Sequence, residues 1–377
     1  MKGYAKPLNE FICGQQIQFV IPVYQRNYDW LQDNCDQLLS DLVKLIHSGR
    51  TSHFFGSIVT SVAGTGFSRL VIDGQQRLTT ISLLLLAGIK AVNDGLLEIS
   101  NESRKDEAYD LFLNAKYCNS ERKIKLVPIE NDRIAYDKIF NGEDELDEDS
   151  KITRNFRHFY DKLTRKPQQL TFDNLLDAVE HLQIISIELD ADDDAQLIFE
   201  SLNSTGLALT EADKIRNYLL MSLTAEEQQL CFKNYWQKIE SATENNPTKF
   251  LRDYLTIKQQ LQRPVRLSNI YFEWKKYMDG RDRKQEMVEM LDYARYYQQV
   301  TEAQMETSKL SAKMRHICNI ESDVTNVFFI QFLKYAATNN LSYDEIDKVI
   351  DVVENYLARR IICNMPGNAL TQVVCAL

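Results

Sequence analysis

Glycine and proline are scarce, at 13 and 7 among 377 residues. A many-turned sandwich or barrel needs more turn formers than that, so helix is expected to carry most of the chain. Histidine is scarcer still: only His47, His53, His158, His181 and His316 occur, and none stands in a cluster that pairs metal ligands with a general base. The seven cysteines, at 13, 35, 118, 231, 318, 363 and 375, show neither metal-ligand nor redox spacing. They read as reduced thiols, which points to the cytoplasm. No secretory signal opens the chain at Met1-Lys2-Gly3-Tyr4. The longest uncharged apolar stretch, Leu78 to Ile89, falls short of the roughly 20 residues a membrane helix needs. Nor is there an excess of basic charge. The net charge of −10 argues against a general nucleic-acid coat, although it leaves room for a local basic groove.

What is present is an ordinary globular composition, 44% hydrophobic and 26% charged, in a chain long enough for two domains. The front reads as α/β. Gln18 to Val23 is a short strand. A helix follows, capped by Asp33 or Asn34, with Leu38, Leu42, Leu45 and Ile46 on one face before Gly49. His53 to Val62 and Arg69 to Asp73 are strands around the turn Ala63-Gly64-Thr65-Gly66. Gly74 then breaks into an apolar helix from about Gln76 to Val92. Helical patterns dominate afterwards, over 210–240, 248–263, 284–300, 323–338 and 343–363. The one clear later strand, at 183–189, is a candidate to join the front sheet. The expected architecture is α+β, with residues 1–95 as a small α/β domain and 96–377 as a mainly α-helical one. The acidic run Asn141 to Asp149 marks a soft boundary near 141–150.

Three constellations concentrate chemistry. In Asp73-Gly74-Gln75-Gln76-Arg77-Leu78-Thr79-Thr80 a strand delivers an acid, a glycine, two amides, a guanidinium and two hydroxyls to a helix start. Free N–H groups and the positive dipole end attract anions there. Gly74 allows close backbone approach, Arg77 offers a forked phosphate donor, and Asp73 is placed to hold a metal ion such as Mg²⁺ or to orient a water. A plain helix cap accounts for Asp73 alone. The second, Pro22 to Trp30, alternates aromatics with Gln25 and Arg26, a second anion ligand. In the third, Phe199 to Asp213, an apolar helix ends at Asn203-Ser204-Thr205-Gly206, and Thr210 with Asp213 makes a capping box for the next. Two basic clusters, Arg154 to Lys166 and Arg263 to Lys284, read first as solvated helix faces that are able to touch phosphates.

Ile21-Pro22-Val23-Tyr24-Gln25-Arg26-Asn27-Tyr28-Asp29-Trp30, Phe55-Gly56-Ser57-Ile58-Val59, Val71 to Thr80 and Phe199 to Gly206, in that order, resemble the N-terminal domain of GmrSD-type restriction endonucleases. The likeness covers about residues 8–220. It implies a ParB/sulfiredoxin-like front fold joined to a helical domain, in a modification-dependent, type IV-like phage-defence protein. It also ties the Asp-Gly-Gln-Gln-Arg motif to nucleoside triphosphate hydrolysis. On that basis Asp73, Gln75, Gln76 and Arg77 are the candidate catalytic residues. Tyr24, Gln25, Arg26, Gly56, Ser57, Gly74, Thr79, Thr80 and Asn203 are the candidate nucleotide-binding ones. The implied partners are a nucleoside triphosphate with Mg²⁺, DNA that carries a modification, and a nuclease domain. Many relatives continue into a His-Asn-His nuclease domain. The histidines here form no such centre, so these 377 residues are expected to hydrolyse nucleotide without cutting DNA. The alternative is a non-catalytic module that reads DNA with the same pocket.

Overall fold

The computed structural model describes every residue except 49, 64–66, 119, 121–122, 166–169, 191–192, 203–208, 321–324, 366–369, 371–372 and 374–377. The fold is α+β. Its contacts divide it into two compact units, Met1–Gly206 and Leu207–Leu377. Residues 96–206, grouped by sequence with the helical part, thus pack within the first unit.

The first unit runs β1 (Lys2–Pro7), α1 (Leu8–Ile12), β2 (Gln18–Val20), α2 (Gln32–Ser48), β3 (His53–Ala63), β4 (Ser68–Asp73) and α3 (Gln75–Asn93). It continues with α4 (Ser103–Ala108), β5 (Leu126–Val127), α5 (Glu130–Phe140), α6 (Lys151–Thr164), α7 (Phe172–Glu180), β6 (Leu182–Leu189) and α8 (Ala195–Leu202). The strands form one mixed sheet in the order β1-β6-β3-β4-β2-β5. β6 lies parallel to β3 and antiparallel to β1, so a strand far along the chain completes the front sheet. β1 has no alternating apolar pattern. Its Lys2, Gly3, Lys6 and Pro7 suit an edge strand, where an unpaired ladder is best left polar.

α3 is the central helix. From Gln75 to Val92 nearly every side chain is buried, and it packs against α6 and α7. A Cβ on Gly88 would come within 3.0 Å of the Phe172 ring, so a bare backbone lets α7 approach this closely. A helix apolar on all sides is one that is covered on all sides. The basic cluster on α6 is neutralised locally. His158 and Lys162 meet Asp36 at 2.7 and 2.9 Å, and Arg154 and Arg157 pair with Asp149 and Glu148 of the acidic run.

The second unit is helical: α9 (Glu211–Leu220), α10 (Ala225–Cys231), α11 (Gln237–Ala242), α12 (Pro247–Lys258), α13 (Ile270–Tyr277), α14 (Arg283–Thr301), α15 (Ser308–Ile320), α16 (Asn326–Thr338) and α17 (Tyr343–Ile362). The capping box expected at Thr210 and Asp213 is present. A second one, Thr224 with Glu227, starts a new helix inside the stretch 210–240 that reads as one continuous pattern. Trp236, Tyr254 and Trp274 fill its core. No helix among the described residues is long and apolar enough to cross a membrane.

Leu84, on α3, is fully buried. Leu84→Ala should destabilise the first unit by about 3 kcal/mol, the usual combination of lost transfer energy and residual cavity. Amide exchange along α3 should accelerate accordingly. Unchanged exchange there would show that α3 is not the core element described.

Candidate functional site

The Asp-Gly-Gln-Gln-Arg segment sits where β4 ends and α3 begins. Asp73 is the last residue of β4 and lies opposite Val59 of β3, next to a register shift between Val59 and Thr60. Gly74 follows with φ 97°, a left-handed conformation that L side chains rarely adopt. A Cβ there would also come within 3.0 Å of Ile58 Cγ1 and 3.3 Å of its Cα. Both constraints require glycine, and they let the chain turn from strand to helix within one residue. No side chain caps the helix start at Gly74.

Arg77 lies back along β3. Its Nη1 donates to the Ser57 carbonyl at 2.9 Å and stands 3.7 Å from Asp73 Oδ2. The guanidinium covers Gly56, at φ 118°, where a Cβ would come within 2.8 Å of Nε. A register shift between Phe54 and Gly56 presents the bare backbone to it. Thus Gly56 and Ser57 shape the bed for Arg77, Gly56 by lacking a side chain and Ser57 through its carbonyl.

The two glutamines face the loop Pro22–Trp30, which has no regular structure of its own. Gln76 Oε1 accepts from the N–H groups of Asp29 and Trp30 at 2.8 and 3.2 Å, and its Nε2 donates to Asn27 O at 3.2 Å. Gln75 Nε2 donates to Arg26 O at 3.0 Å and to Gln25 Oε1 at 3.3 Å. Gln25 Nε2 in turn donates to Ile72 O of β4 at 2.7 Å. These amides are committed to holding the loop. Thr80 is likewise committed: its hydroxyl bonds Gln76 O at 2.7 Å and the Tyr28 hydroxyl at 2.8 Å. Tyr24 and Thr79 are buried.

The loop brings Arg26 to the same corner. Its Nη1 is 3.6 Å from Asp29 Oδ2, and Asp29 also pairs with Lys151. Burial raises the Asp73 pKa, while Arg77, the Gly74 N–H and Arg26 pull the other way. Burial prevails, so Asp73 is a stronger base than an exposed aspartate and still ionises beside two guanidiniums. At 3.7 Å the Arg77 contact is longer than a hydrogen bond, so Asp73 keeps acceptor capacity for a water or a ligand.

Among the described residues no group of three or more His, Cys, Asp or Glu side chains converges on a metal position. One carboxylate beside two guanidiniums, which repel a cation, does not by itself make a Mg²⁺ site. Asn203 lies outside the described residues. Asp213, part of the third motif, is occupied by its cap and by Arg216 at 2.7 Å. The sequence reading misses two supports. Asn155 on α6 donates to the Tyr28 hydroxyl at 3.0 Å and to Trp30 O at 2.9 Å, and Asp132 accepts from Tyr28 N at 2.6 Å. Asn155 was detectable as a polar residue on the apolar stripe of Ile152, Phe156 and Phe159. Asp132 gave no such signal.

Two expectations follow from this geometry. Gln76→Ala leaves the N–H groups of Asp29 and Trp30 without their acceptor, at about 1–3 kcal/mol. Their amides should exchange at least about tenfold faster; protection equal to wild type would refute the role given to Gln76. Asp132 has its pKa pushed up to about 6, chiefly by burial. The folded state therefore binds more protons than the unfolded chain between about pH 4 and 6, and stability falls as pH rises through that window. Asp132→Asn keeps an oxygen for Tyr28 N and should flatten that slope. An identical pH profile in the variant would contradict the assignment.

With the geometry in place, comparison with known proteins adds one match. The family described as GmrSD restriction endonuclease, N-terminal domain, matches residues 8–220. A search of curated proteins finds no match.

Proposed function

The chain belongs to the family of GmrSD restriction endonuclease N-terminal domains, and from that premise we propose that its first unit is the nucleotide-hydrolysing module of a restriction or phage-defence protein. The observation that carries this reading is Asp73: a carboxylate made more basic by burial, flanked by Arg77 and Arg26 and open to a further acceptor bond, at an uncapped helix start. The mixed sheet with its strand–glycine–helix turn is in keeping with a ParB/sulfiredoxin-like unit.

In this reading Arg77, Arg26 and the first N–H groups of α3 bind the phosphates and stabilise charge that develops on them. Asp73 orients the attacking water and takes its proton. Magnesium carried on the phosphates would supply further charge neutralisation when bound. Gln75 and Gln76 act one step back, as positioning residues that keep the Arg26 loop against α3. Gly56 and Ser57 position Arg77, and Thr80 anchors the loop through Tyr28.

The alternative, a DNA reader at the same corner, needs a continuous basic groove. The whole excess of acidic over basic residues in the chain lies in Met1–Gly206, which favours a mononucleotide over a polyanion there.

Phosphate release with Mg²⁺ and each common nucleoside triphosphate tests the proposal. Asp73→Asn and Arg77→Ala should each lower the rate by on the order of 10²–10³. Because Asp73 acts ionised, the rate should rise with pH along an acid limb above the ordinary aspartate range. Arg77→Gln removes a neighbouring cation and should move that limb further up. Wild-type turnover in Asp73→Asn would sink the proposal.

A further inference from the structure

The second unit carries a surface that the nucleotide site does not use. Over α9, α13 and the start of α14, cations lie on aromatic rings. Lys275 is 5.6 Å from the Tyr271 ring, and Lys276 is 4.1 Å from that of Phe272. Arg281 covers Tyr277 at 4.3 Å, and Arg283 covers Tyr218 at 4.4 Å. The Tyr218 and Tyr271 rings meet edge to face at 6.4 Å. Lys275, Tyr271, Tyr218 and Arg283 thus form one continuous row of cation, ring, ring, cation across two helices and the start of a third.

Three of these four pairs join residues four apart in sequence, and the fourth bridges α14 to α9, so one face collects four cations on rings. Phe272 is 55% exposed. Arg266, Lys275, Lys276 and Arg281 are exposed around it. Opposing acids are present: Glu273 pairs with Lys276 at 3.1 Å, and Asp282 caps α14 through Gln285 N. Arg281 instead donates to the Tyr277 carbonyl at 2.8 Å, so its cation is held flat on the ring by the backbone. The second unit also has none of the acidic excess of the first.

Exposed cations grouped on one face match the phosphates of a polynucleotide, and an exposed ring beside them matches an unpaired base. A duplex hides its base faces and would leave Phe272 unused. From this arrangement we infer that the α9–α13–α14 face of the second unit binds single-stranded polynucleotide, with Lys275, Lys276 and Arg281 on phosphates and Phe272 stacked on a base. This site is separate from Asp73 and does not depend on the hydrolytic reading.

The test is fluorescence anisotropy of the full chain with labelled oligo-dT, oligo-rU and a duplex, each about 20 nucleotides long, across a salt series. Single strands should bind in preference to the duplex, and a difference between the dT and rU arms would identify the sugar. Combined Lys275→Ala, Lys276→Ala and Arg281→Ala should weaken binding at least about tenfold and reduce the salt slope by about 2–3. Phe272→Ala, at an exposed position, should weaken binding with the salt slope unchanged. Neither change should alter phosphate release, so failure here and failure of the hydrolytic reading are distinct. Tighter duplex binding, no binding, or wild-type affinity in both variants would overturn the inference.

Discussion

The site depends on hydrogen bonds between two side-chain amides and a stretch of backbone about fifty residues earlier in the chain. Gln76 reads the backbone of Asn27, Asp29 and Trp30, and Gln75 reads that of Arg26. They tie Pro22–Trp30, a loop without regular structure of its own, to the start of α3. A neutral hydrogen bond contributes about 1 kcal/mol net, but an orphaned buried donor costs more than that. Glutamine is suited to the task because one amide both donates and accepts, and so satisfies backbone groups of both kinds. The Tyr28 hydroxyl, Asn155 and Thr80 close the same network from the other side, tying the loop to α6 as well as α3.

One of the two cations that act on Asp73 sits on that tethered loop. Arg26, on the tethered loop, favours the ionised form of Asp73 electrostatically, and Arg77 stands 3.7 Å from it. The glycines at 56 and 74 make the approach sterically possible, since each would collide with a neighbour if it carried a Cβ. Burial raises the pKa of the carboxylate and the two guanidiniums oppose that rise, so a group of ordinary chemistry becomes one able to accept a proton in use. Local propensity, packing and polar bonding therefore favour one arrangement at this corner.

Much of this was legible in the sequence. The strand–glycine–helix turn followed from an apolar run ending in Asp73-Gly74 and reopening as an unbroken apolar helix. Thr210 with Asp213 announced its own capping box. The roles of Gln75 and Gln76 were not legible. An amide in a polar motif looks the same whether it faces a ligand or a distant backbone, and only the fold decides. β1 was missed because an edge strand of Lys, Gly and Pro has no alternation to read. The division of 210–240 was missed because amphipathic periodicity continues across the Thr224 cap. The boundary placed near residue 95 followed a change from strand to helix patterns, whereas β6 returns to the front sheet and keeps the intervening helices within one unit.

The most direct measurement is a crystal structure of the chain with Mg²⁺ and a non-hydrolysable nucleoside triphosphate analogue. The expected result is a terminal phosphate in hydrogen-bond contact with Arg77 and with the first N–H groups of α3, with Asp73 facing the position of the attacking water. A nucleotide bound elsewhere in the first unit, out of reach of Arg77 and Asp73, would contradict the account.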